Sequence, residues 1–156
     1  MRKTLGRIMK HNILKFGMNI WPPFLGAGIR VKHIAADYRE IVVSMKLRWY
    51  NRNYVGTHFG GSLAAMTDPF YMLMLVHLLG SEYTVWDKTS TIDYLAPGRG
   101  TVTARFTLRD DQLAEIKGKT ANGEPYFPEF SVDIVNQSGE LIAKVEKKLY
   151  VRKKQS

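Results

Sequence analysis

At 156 residues, with 45% apolar and 24% charged residues, the chain has the bulk of one globular domain, too short for two and too apolar to stay disordered. It contains no cysteine, which excludes disulfides, thiolate catalysis and thiolate zinc sites and fits a reducing, cytoplasmic setting. A net charge of +9 favours polyanionic partners such as nucleic acid, an anionic membrane face or phosphorylated small molecules, without choosing among them.

The first 36 residues hold Arg2, Lys3, Arg7, Lys10, Lys15, Arg30 and Lys32 and no acid before Asp37. Leu5, Ile8, Met9, Ile13, Phe16 and Ile20 recur at helical spacing, so residues 3–20 read as a basic amphipathic helix that Trp21-Pro22-Pro23 stops. Residues 1–24 are therefore set apart from a single domain over 25–156. The expectation is a helix laid over that domain with its basic face solvated. An organelle-targeting peptide and a helix lying on a membrane surface have the same composition and stay open. No secretory signal is visible, because charges interrupt the apolar positions. Gly26-Ala27-Gly28 resembles the start of a dinucleotide fingerprint, but Val31 stands where the third glycine belongs, so it is read as a turn.

Ile29 to Ala35 and Glu40 to Trp49 read as two strands joined by Asp37-Tyr38-Arg39. In the second, Ile41, Val43, Met45, Leu47 and Trp49 alternate with more polar positions, the pattern of a sheet with one buried face. The chain then reaches Asn53, whose side-chain amide can donate and accept, either as a turn residue or at the entrance of a site.

Residues 53–80 combine permissive glycines, one carboxylate and a long apolar run. Gly56 and the pair Gly60-Gly61 permit tight turning and close approach of a ligand to bare backbone. Ser62 is placed to cap a helix start, where amides without intrahelical partners could stabilise an oxygen that turns negative during reaction. Asp68 is the only acid between Glu40 and Glu82 and stands among Leu63, Met66, Phe70 and Met72, so desolvation would raise it toward the range of a general base. Asp68-Pro69 is equally an N-cap and first helical residue, in which case the helix begins there; otherwise Pro69 kinks it. Met66, Met72 and Met74 read as core and His77 as a rim histidine. The longest apolar run, Phe70 to Leu79, is short of the ~20 residues of a membrane span.

Four further strands come next. Tyr83 to Ala96 ends at Pro97-Gly98-Arg99-Gly100, a hairpin turn by composition, and Val102, Ala104, Phe106 and Leu108 then alternate. A short helix is placed around Gln112 to Ile116. Phe130, Val132 and Ile134 form the next strand, Gln137-Ser138-Gly139 turns the chain, and Ala143, Val145, Leu149 and Val151 mark the last. Arg152-Lys153-Lys154 reads as a solvated tail. The class is α+β, an antiparallel sheet around one long helix. Pairing of two protomers would bury what that sheet leaves open.

In order and spacing, Asn53, Gly56, Gly60, Gly61 and Asp68 resemble the motif of the hot-dog-fold thioesterase superfamily, in the branch of the phenylacetyl-CoA type thioesterases. That motif runs Asn, two residues, Gly, two residues, His-Gly-Gly, then an acid on the central helix. The chain departs from it at one place: Phe59 holds the histidine position and His58 comes one residue early. The resemblance spans roughly residues 29–151 and implies a hot-dog fold. It also implies a homodimer, which can pair further into a dimer of dimers, with the site at the junction and the acid from one subunit. The implied reaction is hydrolysis of an acyl-CoA or acyl-carrier thioester. Asp68 would be base or nucleophile, the Gly60 amide would polarise the carbonyl, and Asn53 would orient water or substrate. Gly61, His58, Phe59, Asp87 and Arg99 would line the substrate, with Asp87 alternatively paired to Lys88. Arg99 or the basic tail would meet the coenzyme phosphates. Coenzyme A enters only as part of the substrate, and neither a metal nor another cofactor is implied.

Competing classes are a non-catalytic acyl-CoA or lipid binder, motivated by Phe59, and a nucleic-acid binder, motivated by charge. The second lacks any recognised motif, and no nucleic acid is expected. A hot-dog dehydratase would share the fold. A nucleophile elbow, a phosphate loop and a metal-spaced histidine pair do not occur in the sequence.

Overall fold

The computed structural model describes residues 2–155, with side chains from residue 10 onward. Two helices come first, α1 (Arg2–Ile20) and α2 (Pro22–Ala27), followed by the hairpin of β1 (Ile29–Ile34) and β2 (Glu40–Lys46). Next are α3 (Gly60–Ala65) and α4 (Phe70–Leu79), then β3 (Tyr83–Tyr94), β4 (Thr101–Thr107), α5 (Asp110–Lys119), β5 (Glu129–Asn136) and β6 (Leu141–Lys153). All six strands form one antiparallel sheet in the order β1-β2-β4-β5-β6-β3. The expected succession of two strands, a helical region and four strands is the one observed.

Alternation along each strand explains where the core lies. Ile41, Val43 and Met45, then Val102, Ala104 and Phe106, then Phe130, Val132 and Ile134, then Val145, Leu149 and Val151 are buried, because a period of two sends them to one face. α4 covers that face. Phe70 and Phe106 rings meet at 5.0 Å and Tyr71 stacks on Phe130 at 4.6 Å. The Tyr71 hydroxyl donates to the Ser131 carbonyl at 2.8 Å, and burial pushes its pKa up to about 12, so it packs and does not titrate near neutrality. Residues 60–79 have the length and composition of a membrane-crossing helix, but Phe70, Met74 and Leu75 are fully buried against the sheet. Each such burial contributes roughly 1.5–3 kcal/mol to folding.

Several expectations need correction. The central helix neither runs through with a kink nor begins at Asp68. It is two helices, with Pro69 at the N-cap position of α4, where no side chain caps the helix. Proline has no N–H and drives the residue before it out of helical geometry, so the chain breaks at Asp68 instead of bending. β2 ends at Lys46, three residues early, because Asn51 clamps the backbone just past it. The Asn51 side chain accepts from Arg48 N at 2.7 Å and donates to the carbonyls of Lys46 at 3.0 Å and Ala27 at 2.9 Å. Trp49 is consequently 82% exposed.

Pro97-Gly98-Arg99-Gly100 is no hairpin, since β3 pairs with β6 at the sheet edge while β4 lies between β2 and β5. Composition marks a bend there but not which strands it joins. α5 is longer than expected, and the basic tail is pinned: Arg152 Nε donates to Gly123 O at 2.8 Å and Lys154 Nζ to Ser81 O at 2.8 Å. α1 docks through Leu14, Met18 and Asn19, whose amide exchanges hydrogen bonds of 2.8 and 3.0 Å with the Val31 backbone. Its expected apolar stripe does not cover the domain, because Ile13, Phe16 and Ile20 face solvent. Leu5, Ile8 and Met9 lie outside the described side chains.

Candidate active site

β6 sets the first part of the site. Its inward positions run Ala143, Val145, Lys147, Leu149 and Val151, so Lys147 enters the apolar side of the sheet in phase with its neighbours and is 4% exposed. On β3 the register shifts between Asp87 and Thr89, with Asp87 opposite Leu149 and Ser90 opposite Lys147. One extra residue, Lys88, thus brings Ser90 to the same face as Asp87, directly across from the lysine. Asp68, at the break between α3 and α4, faces them.

Lys147 Nζ lies 3.1 Å from Asp68 Oδ1 and 3.5 Å from Asp87 Oδ1. Burial raises the Asp87 pKa, the Lys147 ammonium opposes it, and the neighbouring Asp68 carboxylate raises it further. Asp68, Asp87 and Lys147 line an open cavity of 380 Å³ with Ala64, Ala65 and Ser90. Two expectations fail here. Asp68 is 59% exposed rather than desolvated, because Leu63, Met66 and Phe70 turn to the sheet and leave it on the outer side of the break. Asp87 pairs with Lys147 and not with Lys88, whose ammonium sits 4.2 Å above the Phe127 ring.

The glycine loop forms a second, separate cavity of 500 Å³, lined in part by Asn53, His58, Gly60, Leu63, Tyr94 and Arg99. Asn53 is occupied in the loop itself, accepting from Val55 N and Thr57 N and donating to Thr57 Oγ1 at 2.8 Å and His58 O at 3.3 Å. His58 is 3% exposed, its Nε2 3.1 Å from Gly100 O, and burial lowers its pKa, so it is a neutral anchor of the loop. Phe59 is 55% exposed and occupies the N-cap position of α3. Neither the Gly60 nor the Gly61 amide donates to a backbone carbonyl among the described residues, since Ser62 and Leu63 take the Phe59 carbonyl. Tyr94 Oη donates to Gly60 O at 3.0 Å and crowds the glycine, as a Cβ at Gly60 would come 3.0 Å from that hydroxyl. Gly61 is likewise crowded by the Phe59 ring. Arg99 is exposed at the rim.

The structure therefore gathers the expected residues into two groups. Asp68 meets Asp87 in one cavity, and Gly60 meets Asn53, His58 and Arg99 in another with no lining residue in common. Lys147, Tyr94 and Asn51 were not anticipated. Lys147 had a signal: it is a cation at an apolar-phase position of the last strand, between Val145 and Leu149. Nothing in the sequence places Tyr94 on Gly60, 34 residues away. Chemically, the first cavity offers a carboxylate held by a buried ammonium beside a second carboxyl that resists ionisation. The second offers bare amides at a helix start. Among the described residues no group of three or more His, Asp or Glu could hold a metal ion.

Residues 10–151 match the family model described as a domain of unknown function (DUF4442). No curated protein matches the chain. Among solved structures, the Pseudomonas aeruginosa protein PA5026, of unknown function and described as a probable thioesterase, superposes with a TM-score of 0.79 at 13% identity, covering 92% of this chain and 96% of that one. Thioesterase HI1161 of Haemophilus influenzae superposes at 0.65 with 18% identity, over 90% and 88%. A mutant of the phenylacetic acid degradation protein PaaI of Thermus thermophilus superposes at 0.58 with 24% identity, over 83% and 98%. At such identities the likeness establishes the architecture, which is the hot-dog fold.

Proposed function

The chain belongs to the DUF4442 family, and on that hot-dog frame we propose that it hydrolyses an acyl thioester of coenzyme A or of an acyl carrier. One observation carries this reading: the convergence of Asp68 and Asp87 on the Lys147 ammonium, at 3.1 and 3.5 Å, in an open cavity beside the helix break. Burial holds the Asp87 pKa above the ordinary carboxylate value, which suits that carboxyl to acid work beside a second carboxyl.

In this reading Asp68, held by Lys147, removes a proton from water as its oxygen attacks the thioester carbonyl, or attacks directly to give an acyl anhydride that water then opens. Negative charge on the carbonyl oxygen goes to the free Gly60 and Gly61 amides. The C–S bond breaks, and Asp87, which holds a proton more readily than an ordinary carboxyl, supplies it to the departing thiolate. Since the Asp68 and Gly60 cavities are separate within one chain, a complete site takes the acid of one protomer and the amides of another. The exposed edge strand β3 is the natural seam for such a homodimer. Arg99 at the rim of the amide cavity suits the coenzyme phosphates.

A second reading, an acyl-CoA or lipid binder without turnover, is favoured by the ion pair of Asp68 with Lys147, which gives that carboxylate a structural role without any reaction. Thiol release from short, long and aryl acyl-CoAs separates the two. Turnover that Asp68→Ala abolishes supports hydrolysis, whereas binding without turnover that Asp68→Ala leaves unchanged supports the binder.

A further inference from the structure

Charge is distributed unevenly along this chain. The first 60 residues carry eleven Lys and Arg against two acids, whereas residues 61–156 carry twelve of each, so the whole net charge of +9 belongs to α1, α2, the β1-β2 hairpin and the loop after it. The same segment leaves large apolar side chains in solvent. Ile13 is 64% exposed, Phe16 67% and Ile20 53%, and their spacing of three and four puts them on one side of α1, roughly opposite the docked Leu14 and Met18. Beyond the helix the apolar surface continues through Trp21 and Leu25, where Leu25 N donates to Trp21 O one turn on. Gly28, at the end of α2, abuts the Tyr50 hydroxyl, and Trp49 packs edge-on against Tyr50 at 5.5 Å. Lys10, Arg30, Lys32, Arg48 and Arg52 are exposed on this segment.

We propose that this face, formed by the apolar stripe of α1, by Trp21 and Leu25 of the α1-α2 corner and by Trp49, adsorbs to an anionic phospholipid surface. A helix lying in the headgroup plane combines an apolar side that enters the acyl boundary with cations that meet the phosphates, and tryptophan and tyrosine favour that boundary. Nucleic acid would use the cations but gives an isoleucine and phenylalanine stripe nothing to bury. A second copy paired along β3 would sit at the opposite edge of the sheet from β1, on which α1 packs, and so would leave the stripe uncovered. This inference does not depend on the hydrolase reading, and the experiment involves no thioester.

The test is flotation of the full chain with vesicles of phosphatidylcholine alone or with phosphatidylglycerol added. A W49F/W86F variant leaves Trp21 as the reporter. Wild type is expected to float with the anionic vesicles at least about tenfold more strongly than with the neutral ones, and Trp21 emission is expected to shift to the blue. I13E/F16E is expected to lose at least about tenfold in binding, and K10E at least about fivefold, from roughly 1 kcal/mol per cation at the surface. Unchanged circular dichroism shows that each variant folds. The proposal is overturned if wild type stays with the soluble fraction on anionic vesicles, or if K10E weakens binding while I13E/F16E does not. It is also overturned if I13E/F16E splits an oligomer and wild type binds no vesicles, or if wild type binds nucleic acid in preference to the vesicles and the apolar substitutions leave that binding intact.

Discussion

Lys147 Nζ lies 3.1 Å from Asp68 Oδ1, joining the middle of the last strand to a helix break 79 residues earlier in the chain. The ammonium is 4% exposed and the carboxylate 59%, so the pair reaches from the core to the surface with its charge exposed at only one end. A lysine buried this far needs a partner, because an unpaired charge in low dielectric costs several kcal/mol. Asp68 and Asp87 supply it, and in doing so place two carboxyls where a reacting group could approach.

Removing the base should separate catalysis from folding. Asp68→Asn is expected to lower kcat about 10²–10³-fold while the chain still folds, because Asp87 remains 3.5 Å from the Lys147 ammonium as its partner. Thiol-release kinetics beside a thermal melt check both. A single turnover in ¹⁸O-labelled water then separates the two routes, with label in the product acid for a base and label in Asp68 for a nucleophile.

Lys147→Ala removes the cation between two carboxyls and opens a cavity under β3, at a cost of about 2–3 kcal/mol. Lys147→Met keeps the stem volume and should cost less than about 1.5 kcal/mol. Both are expected to lose most activity. Urea melts in which Met and Ala are equally destabilising would refute the view that the stem carries the packing and the ammonium the chemistry.

Asp87 gives a pH signature. Its folded-state pKa is raised, chiefly by burial, so the folded chain holds this proton more tightly than the unfolded one. The resulting penalty is absent below the unfolded value, about 3.9, grows as pH rises through the folded value and is complete above it. Asp87→Asn should therefore raise Tm at neutral pH, with the gain shrinking toward zero as pH falls to about 4. A constant gain across that range would count against the assignment.

His58 titrates in the opposite sense. Burial lowers its pKa, so the folded state disfavours protonation, and stability falls as pH drops through the unfolded value of about 6.5. In NMR titration its ring should show a midpoint below the ordinary histidine value of about 6.5. His58→Gln, which cannot titrate, should flatten the decline of Tm below neutrality.

Gly60→Ala tests the amide cavity. The backbone there suits any residue, but the new methyl would come 3.0 Å from Tyr94 Oη and push aside an exposed ring. Stability should change by less than about 1 kcal/mol, while turnover falls at least about tenfold if the amide faces the carbonyl oxygen. Tyr94→Phe, which only loses the hydrogen bond to Gly60 O, should weaken activity less. Equal kinetics for wild type and Gly60→Ala would remove the amides from the reaction.

Most of the fold was legible locally. Alternation placed β2, β4, β5 and β6 and their inward residues, the spacing of Asn53, Gly56, Gly60, Gly61 and Asp68 pointed to the hot-dog arrangement, and proline marked the break at 69. The site was legible only in part. Asp68 and Gly60 stood out because glycine pairs and lone acids stand out. The same local signals misplaced Asp68 in apolar surroundings, since neighbours in sequence can face opposite ways, and left Asn53 open between a turn and a site, where its amide bonds within its own loop.

By itself the sequence determined strand periodicity, the glycine turn, an apolar helical region interrupted near Pro69 and the basic N-terminal segment, because each is set by a few residues acting on backbone they share. Only the tertiary structure decided that β3 pairs with β6 instead of β4, that the extra residue Lys88 brings Ser90 to the face of Asp87, and that Lys147 closes on both carboxyls. Those outcomes depend on strand order and on a one-residue register shift, which fix distances between groups 60 to 79 positions apart and leave no trace in local spacing.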